Sequence, residues 1–226
     1  MPEARSRKLA RATTAAPKRA APTFADPTRV ASKPAASGAA HRVRIIGGVW
    51  KRTPLPVADA DGLRPTPDRV RETVFNWLSG ALAGRHCLDL FAGTGALGFE
   101  AASRGAASVT MVESDVRVAA LLRATVQRLS ADQVTVIAGD AIQAMRRAQG
   151  DDRRFDLVFL DPPFRMGWIE RVLPVLAGVL APQALVYLES EQVLDAPAFS
   201  ALLGRECELL RCNKAGQVFY HLLRCP

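Results

Sequence analysis

The sequence has no apolar run approaching the ~20 residues that span a bilayer, so a membrane protein is not expected. Its N-terminus has no continuous apolar stretch of the signal-peptide kind. Cysteine is sparse: Cys87, Cys207, Cys212 and Cys225 form no C-x-x-C pair, and three of the four sit in or beside apolar segments. Reduced, mostly buried thiols in a reducing compartment, with no bound metal, are therefore expected. Residues 1–41 lack aromatics except Phe24, and residues 1–42 set only two acids, Glu3 and Asp26, against nine Lys and Arg. That stretch carries seven of the eight net positive charges of the chain. Rich in Ala, Pro, Ser and Thr as well, it has too little apolar surface to offset its ordering entropy and reads as a disordered tail. It would attract a polyanion such as RNA in a salt-dependent way, or serve only as a solvated extension. Its acid-poor composition is also that of an organellar transit peptide, although its prolines work against an amphipathic targeting helix.

The whole chain of 226 residues is 49% hydrophobic, enough for one sizeable α/β domain after the tail. Order is expected from Arg42, with Val43, Ile45 and Val49 as a short strand broken by Gly47-Gly48. Thr66 is placed to cap a helix whose first turn holds Pro67 and Asp68. Val70, Val74, Trp77 and Leu78 recur at helical spacing and predict one buried face, with Arg69 and Arg71 elsewhere on the helix. From His86 onward, apolar strands at 87–91, 108–113, 134–137, 157–160 and 184–189 alternate with helices near 96–104, 115–129, 140–148 and 168–180. Strands apolar throughout and separated by helices predict a parallel sheet covered on both faces. Segments 207–211 and 218–223 flank the turn Asn213-Lys214-Ala215-Gly216 and predict an antiparallel hairpin that closes the sheet.

The stretch Asp89-Leu90-Phe91-Ala92-Gly93-Thr94-Gly95-Ala96-Leu97-Gly98 is a strand end, a glycine turn and a helix start. Gly93 and Gly95 let the backbone turn sharply and approach a ligand closely. Glu113 follows Gly93 by 20 residues, where a ribose-binding acid belongs. Up to this point NAD and S-adenosylmethionine fit equally well. Asp89 separates them, because a carboxylate beside the turn repels a pyrophosphate and attracts a sulfonium or ammonium. Asp140, after the third strand, adds an acceptor for an adenine amino group.

Asp161-Pro162-Pro163-Phe164 ends the fourth strand, on the side where open α/β sheets bind ligands. Consecutive prolines have fixed φ and no N–H, so the segment is stiff and presents only acceptors. Such acceptors suit an exocyclic amine on a nucleic-acid base, whose lone pair is delocalised into the ring. Aimed at the N–H bonds, they localise that lone pair, and Asp161 stabilises the positive charge that develops on nitrogen. Phe164 would stack on a flipped or unpaired base. The tetrapeptide fits a guanine amine or an adenine amine, in RNA or DNA.

Together with Arg44-Ile45-Ile46-Gly47-Gly48, Leu63-Arg64-Pro65-Thr66-Pro67 and the run from Arg69 to Leu78, these motifs give the chain a resemblance over residues 42–225. It resembles the RsmD family of 16S ribosomal RNA guanine-N2 methyltransferases. The resemblance implies a Rossmann-like class I methyltransferase fold, S-adenosylmethionine as cofactor, and one guanine of small-subunit rRNA as target, on a ribosomal assembly particle. It further implies that Asp89, Phe91, Gly93 and Gly95 line the cofactor site, with Glu113 on ribose and Asp140 on adenine. Asp161, Pro162, Pro163 and Phe164 would hold the base. A monomer in the cytoplasm is expected. The implied organisation is a tail over 1–41, an RNA-contacting extension over 42–84 and a catalytic domain over 85–226. Arg44, Lys51, Arg52, Arg64, Arg69 and Arg71 are candidates for phosphate contacts, with Thr66 among the RNA-binding residues. Equally, some of these cations would pair with Asp59, Asp61, Asp68 and Glu72 on a solvated face.

Overall fold

A computed structural model describes residues 43–57 and 66–226. The expected tail, and Arg64 with it, lie outside the described residues. Two short strands, β1 (Val43–Arg44) and β2 (Pro54–Leu55), pair antiparallel. Helix α1 (Asp68–Trp77) follows, and then the chain alternates: β3 (His86–Asp89), α2 (Ala96–Ser103), β4 (Ser108–Glu113), α3 (Val116–Leu129), β5 (Val134–Ala138), α4 (Ala141–Gly150) and β6 (Phe155–Leu160). The remainder is α5 (Trp168–Leu176) with a 3₁₀ turn behind it, β7 (Leu180–Ser190), α6 (Ala196–Leu203), β8 (Glu208–Ala215) and β9 (Val218–Cys225).

The main sheet has seven strands in the order β5-β4-β3-β6-β7-β9-β8. The β3–β7 strands all run parallel, and β9 pairs antiparallel with both β7 and β8. This is the predicted Rossmann-like sheet with its closing hairpin. Successive residues along a strand face opposite sides. In β6, Leu157 and Phe159 join a core cluster with α1, α2 and α3, whereas Val158 and Leu160 join a second one with α4, α5 and α6. Both faces are covered, and that explains why the central strands read as continuous apolar runs. Chain direction across the sheet reverses between β3 and β6, and a crevice opens beyond their carboxyl ends.

Local chemistry accounts for the elements that differ from expectation. Val43, Ile45 and Val49 do not share a strand: β1 ends at Arg44, and Val49 is exposed in the following turn. Gly48 turns the chain there with φ +75°, and a β-carbon on it would strike the Ser103 carbonyl at 1.9 Å. Buried Glu100 holds this turn against α2, accepting from the Ile46 and Gly47 amides at 2.6 and 2.7 Å and from Arg104 at 2.7 Å. Thr66 does not cap α1. Pro67 occupies the cap position without a side-chain bond, and the Thr66 hydroxyl is committed elsewhere. The α1 face is buried through Val70, Val74, Phe75 and Leu78, while Trp77 is part-buried and stacks on Tyr220 at 5.2 Å.

The closing hairpin turns at Gly216-Gln217 rather than over 213–216, with Gly216 at φ +62°. Its register sets Glu208 opposite Arg224, so flanking Cys207 and Cys225 meet, with Cα atoms 4.4 Å apart, and form a disulfide. The expectation of reduced thiols therefore fails for this pair. Cys87 is buried, which pushes its thiol up to about 12, and Cys212 is exposed. Helix α6 has no counterpart among the sequence expectations; Asp195 caps it by accepting from the Ala198 amide at 2.8 Å. No helix among the described residues is long and apolar enough to cross a membrane.

Candidate active site

The crevice holds a cavity of about 630 Å³. Its walls come from the β3–α2 turn, the ends of β4 and β5, and the 161–168 segment after β6. The β3–α2 turn is shaped by its glycines. Gly93 has φ +50° and lines the cavity; Gly95 has φ +74° and starts α2. Gly95 does not reach the cavity wall: a β-carbon on it would press into Phe99 and Leu122 at 2.7 Å. Its contribution is to the path of the turn. Gly98 matters for the same helix, because a β-carbon there would meet the Met111 side chain at 2.5 Å. Helix α2 is buried along its whole length and lies close on the sheet.

Asp89 sits under this turn, buried, on the cavity lining. Its Oδ2 accepts from the Gly98 amide at 3.1 Å, and its Oδ1 is buried with no partner. Burial pushes this carboxyl up to about 7, against the Gly98 hydrogen bond and with added repulsion from Glu113. The nearby Phe91 amide opposes the shift more weakly and is too poorly placed to satisfy Oδ1. A buried acceptor without a donor, next to a cavity, is a place for a cationic or N–H-bearing ligand group. Glu113 also faces the cavity; it accepts from the Gly93 amide at 2.9 Å and the Asp115 amide at 2.8 Å. The Ser114 hydroxyl makes a longer contact to the same oxygen as Asp115, at 3.4 Å. Of about four lone-pair positions on the carboxylate, the open one is therefore on Oε2, which could accept from a ribose hydroxyl. Asp140 caps α4, accepting from the Gln143 amide at 2.9 Å on Oδ1, and the residue also lines the cavity. Phe91 lines the cavity in a T-shaped pair with Trp168, whose ring carries Arg171 at 4.1 Å.

Asp161, Pro162, Pro163 and Phe164 complete the lining beside β3, with Phe164 and Met166 exposed. Asp161 Oδ2 accepts from the Thr66 hydroxyl at 3.1 Å. Burial, and then the charge of Glu189, hold Asp161 well above the usual carboxylate range. Glu189 accepts from the Tyr187 hydroxyl at 2.7 Å. The sequence placed Tyr187 and Glu189 in the strand over 184–189 but assigned neither a role in the site. The signal was present in β7, where the apolar run Ala184–Leu188 gives way to Glu189 beside the Asp-Pro-Pro strand.

The cations before β3 divide by burial. Arg44 is exposed and pairs with Asp68 at 3.2 Å; Lys51, Arg52 and Arg69 are exposed. Arg71 contradicts its assignment as a phosphate contact, because it is fully buried. It donates to the Thr66 carbonyl at 3.3 Å, the Arg44 carbonyl at 2.8 Å and Asp68 at 2.6 Å. A planar guanidinium with five N–H donors suits this task of tying α1 to β1 and to Thr66.

A family described as Conserved hypothetical protein 95 matches residues 43–224. Ribosomal RNA small subunit methyltransferase D of Escherichia coli is 44% identical over 192 residues, covering 84% of this chain and 93% of that protein. The protein of the same name from Haemophilus influenzae is 42% identical over 184 residues, covering 80% and 92%. Among solved structures, a putative methyltransferase from Escherichia coli superposes with a TM-score of 0.68 at 38% identity, covering 81% of this chain and 98% of that one.

Proposed function

Because the chain belongs to the family described as Conserved hypothetical protein 95, alongside ribosomal RNA small subunit methyltransferase D, we propose that it methylates the N2 amine of a guanine in 16S rRNA. Asp161 carries the reading. It stands at the end of β6, on stiff Pro162-Pro163, in the lining of a cavity that Asp89 and Glu113 also line. The cavity suits S-adenosylmethionine: unpartnered Asp89 Oδ1 meets a cationic group, Glu113 the ribose diol, and Asp140 the adenine amine. Bound there, S-adenosylmethionine supplies the methyl carbon to the amine nitrogen and keeps the C–S electron pair on sulfur. Asp161 accepts one amine N–H, which directs the nitrogen lone pair at the incoming carbon. As positive charge grows on nitrogen, Asp161 stabilises it and then takes the proton. Its raised pKa makes it a better proton acceptor than a solvated carboxylate. Exposed Phe164 supplies a stacking face for a base taken out of its helix.

Exposed Arg44, Lys51, Arg52 and Arg69, all before β3, supply phosphate contacts, and the substrate is rRNA in a small-subunit particle. The protein acts as a monomer in the cytoplasm. The test is nucleoside mass spectrometry of small-subunit particles from cells lacking the gene, incubated with the protein and S-adenosylmethionine. N2-methylguanine is expected; methyladenine as the sole product would refute the assignment of the base.

A further inference from the structure

Behind Asp161 stand side chains that the transfer step itself does not use. The register of β6 and β7 pairs Leu160 with Leu188, so Asp161 and Glu189 leave neighbouring strands side by side. Thr66 Oγ1 lies between them, 3.1 Å from Asp161 Oδ2 and 3.4 Å from Glu189 Oε1. The Tyr187 hydroxyl donates to the same Glu189 oxygen at 2.7 Å. Thr66, Tyr187 and Glu189 are all buried. Setting two carboxylates against one hydroxyl in a buried place is costly, and a hydrophobic residue at position 189 would avoid that cost. A hydroxyl has one proton to donate, and its shorter contact is to Asp161.

We propose that Thr66 and Glu189 are positioning residues for Asp161 that act in opposite senses. Thr66 engages Oδ2 and leaves the other oxygen to the target amine, while the Glu189 charge makes Asp161 a stronger proton acceptor. The inference deepens the methyltransferase reading and rests on it for its meaning. The electrostatic surroundings agree. Burial and Glu189 raise Asp161, the Thr66 hydrogen bond lowers it, and Asp89 from β3 raises it further. Glu189 is raised by burial and held down by Tyr187 and Thr66. Tyr187 is raised by burial and by Glu189, with Asp161 and with Tyr220 of β9 adding to this, so it stays protonated and keeps donating. Among the described residues the buried cation is Arg71, which binds the Thr66 carbonyl and is itself paired with Asp68. A general base is most effective when its proton affinity approaches the working pH, and an ordinary carboxylate falls short of that.

The test reads Asp161 directly, in ligand-free protein, by ¹³C carboxyl NMR titration, with its resonance identified by loss in Asp161→Asn. Glu189→Gln removes the charge but keeps an acceptor for Tyr187; Asp161 should then titrate lower by roughly a unit or more, the scale of close like-charge repulsion. Thr66→Val should move the titration the other way, and Thr66→Ser should restore it. The acidic limb of kcat/KM against pH should follow, downward in Glu189→Gln and upward in Thr66→Val, with KM for the cofactor unchanged. Lower rates with the titration and the acidic limb fixed would mean a purely structural role and would overturn the proposal. If Glu189→Gln does not fold, the Thr66 pair decides alone, an unmoved titration in Thr66→Val being the adverse result. Wild-type protein that transfers no methyl group to rRNA would defeat the functional reading, while the NMR result would still decide this one.

Discussion

Asp89→Asn removes a negative charge from a place that water does not reach, and its consequence depends on pH in a direction the structure fixes. In the unfolded chain this carboxyl has the ordinary value of 3.8; in the folded protein burial pushes it up to about 7. The folded state therefore binds the proton more tightly, and stability from this group is fully present below about pH 4 and lost as pH rises through about 7. Three pKa units correspond to about 4 kcal/mol, so ligand-free wild-type protein should lose a stability increment of that order between pH 4 and pH 8. The asparagine variant has no such charge to bury. Its amide oxygen can accept from Gly98, and its NH₂ takes the place of unpartnered Oδ1. Urea unfolding of both proteins at half-unit pH steps measures the difference. The variant should gain on the wild type as pH rises. A cationic ligand meets the same group: below pH ~7 it must displace a proton from Asp89, and wild-type affinity for S-adenosylmethionine should fall up to tenfold per pH unit. That slope should vanish in the variant. A stability difference that stays flat from pH 4 to pH 8 would show that Asp89 is not a buried, high-pKa carboxyl, and the reasoning would fail.

Asp161→Asn should abolish nearly all methyl transfer while leaving affinity for S-adenosylhomocysteine unchanged in calorimetry; equal turnover would remove Asp161 from the chemistry. Glu113→Ala should weaken cofactor binding by roughly 1–3 kcal/mol, the range for a charged hydrogen-bonding group, and an unchanged dissociation constant would refute its contact with the diol. Arg71→Met leaves the Thr66 and Arg44 carbonyls without their donor, which should cost about 3 kcal/mol in denaturant unfolding. Arg69→Ala, on the exposed face, should leave stability unchanged and reduce the salt dependence of rRNA binding; the opposite pattern in these two variants would reverse their assignments.

The sheet was legible because its central strands are buried on both faces and separated by helices, so that β3 through β7 stand out as apolar runs with glycine and proline punctuation. The cofactor turn and Asp161 were legible because each combines a strand end with residues that have few other uses: glycines at positive φ, and paired prolines. What the sequence concealed was partnership across the fold. Arg71 looks like any basic residue on a helix until its three acceptors are in place around it. Thr66 stands at the right spacing for a cap, yet its hydroxyl finds Asp161, 95 residues away, before it finds the helix. Glu189 lay one strand over from the catalytic motif, and only the β6–β7 register brings the two together. The Cys207–Cys225 bridge depends likewise on hairpin register, which cysteine spacing alone does not encode.

The hydrophobic cluster on one face of the sheet takes Val43, Leu55, Val74 and Phe75 from before β3 and packs them with Phe99, Phe159 and Tyr187. Close-packed interiors deform little, so the described parts of the N-terminal region and the catalytic sheet act as one solid piece. Arg69 and Asp161 are thereby held at a fixed spacing, like two points of a caliper. A substrate whose phosphate and target base already match that spacing is bound without rearranging the protein, and one that must be bent into place bears that cost itself. Under the proposed rRNA activity, with Arg69 at a phosphate, target choice would lie in the shape of the RNA presented to the protein, and a folded particle can offer a geometry that a free strand visits only rarely.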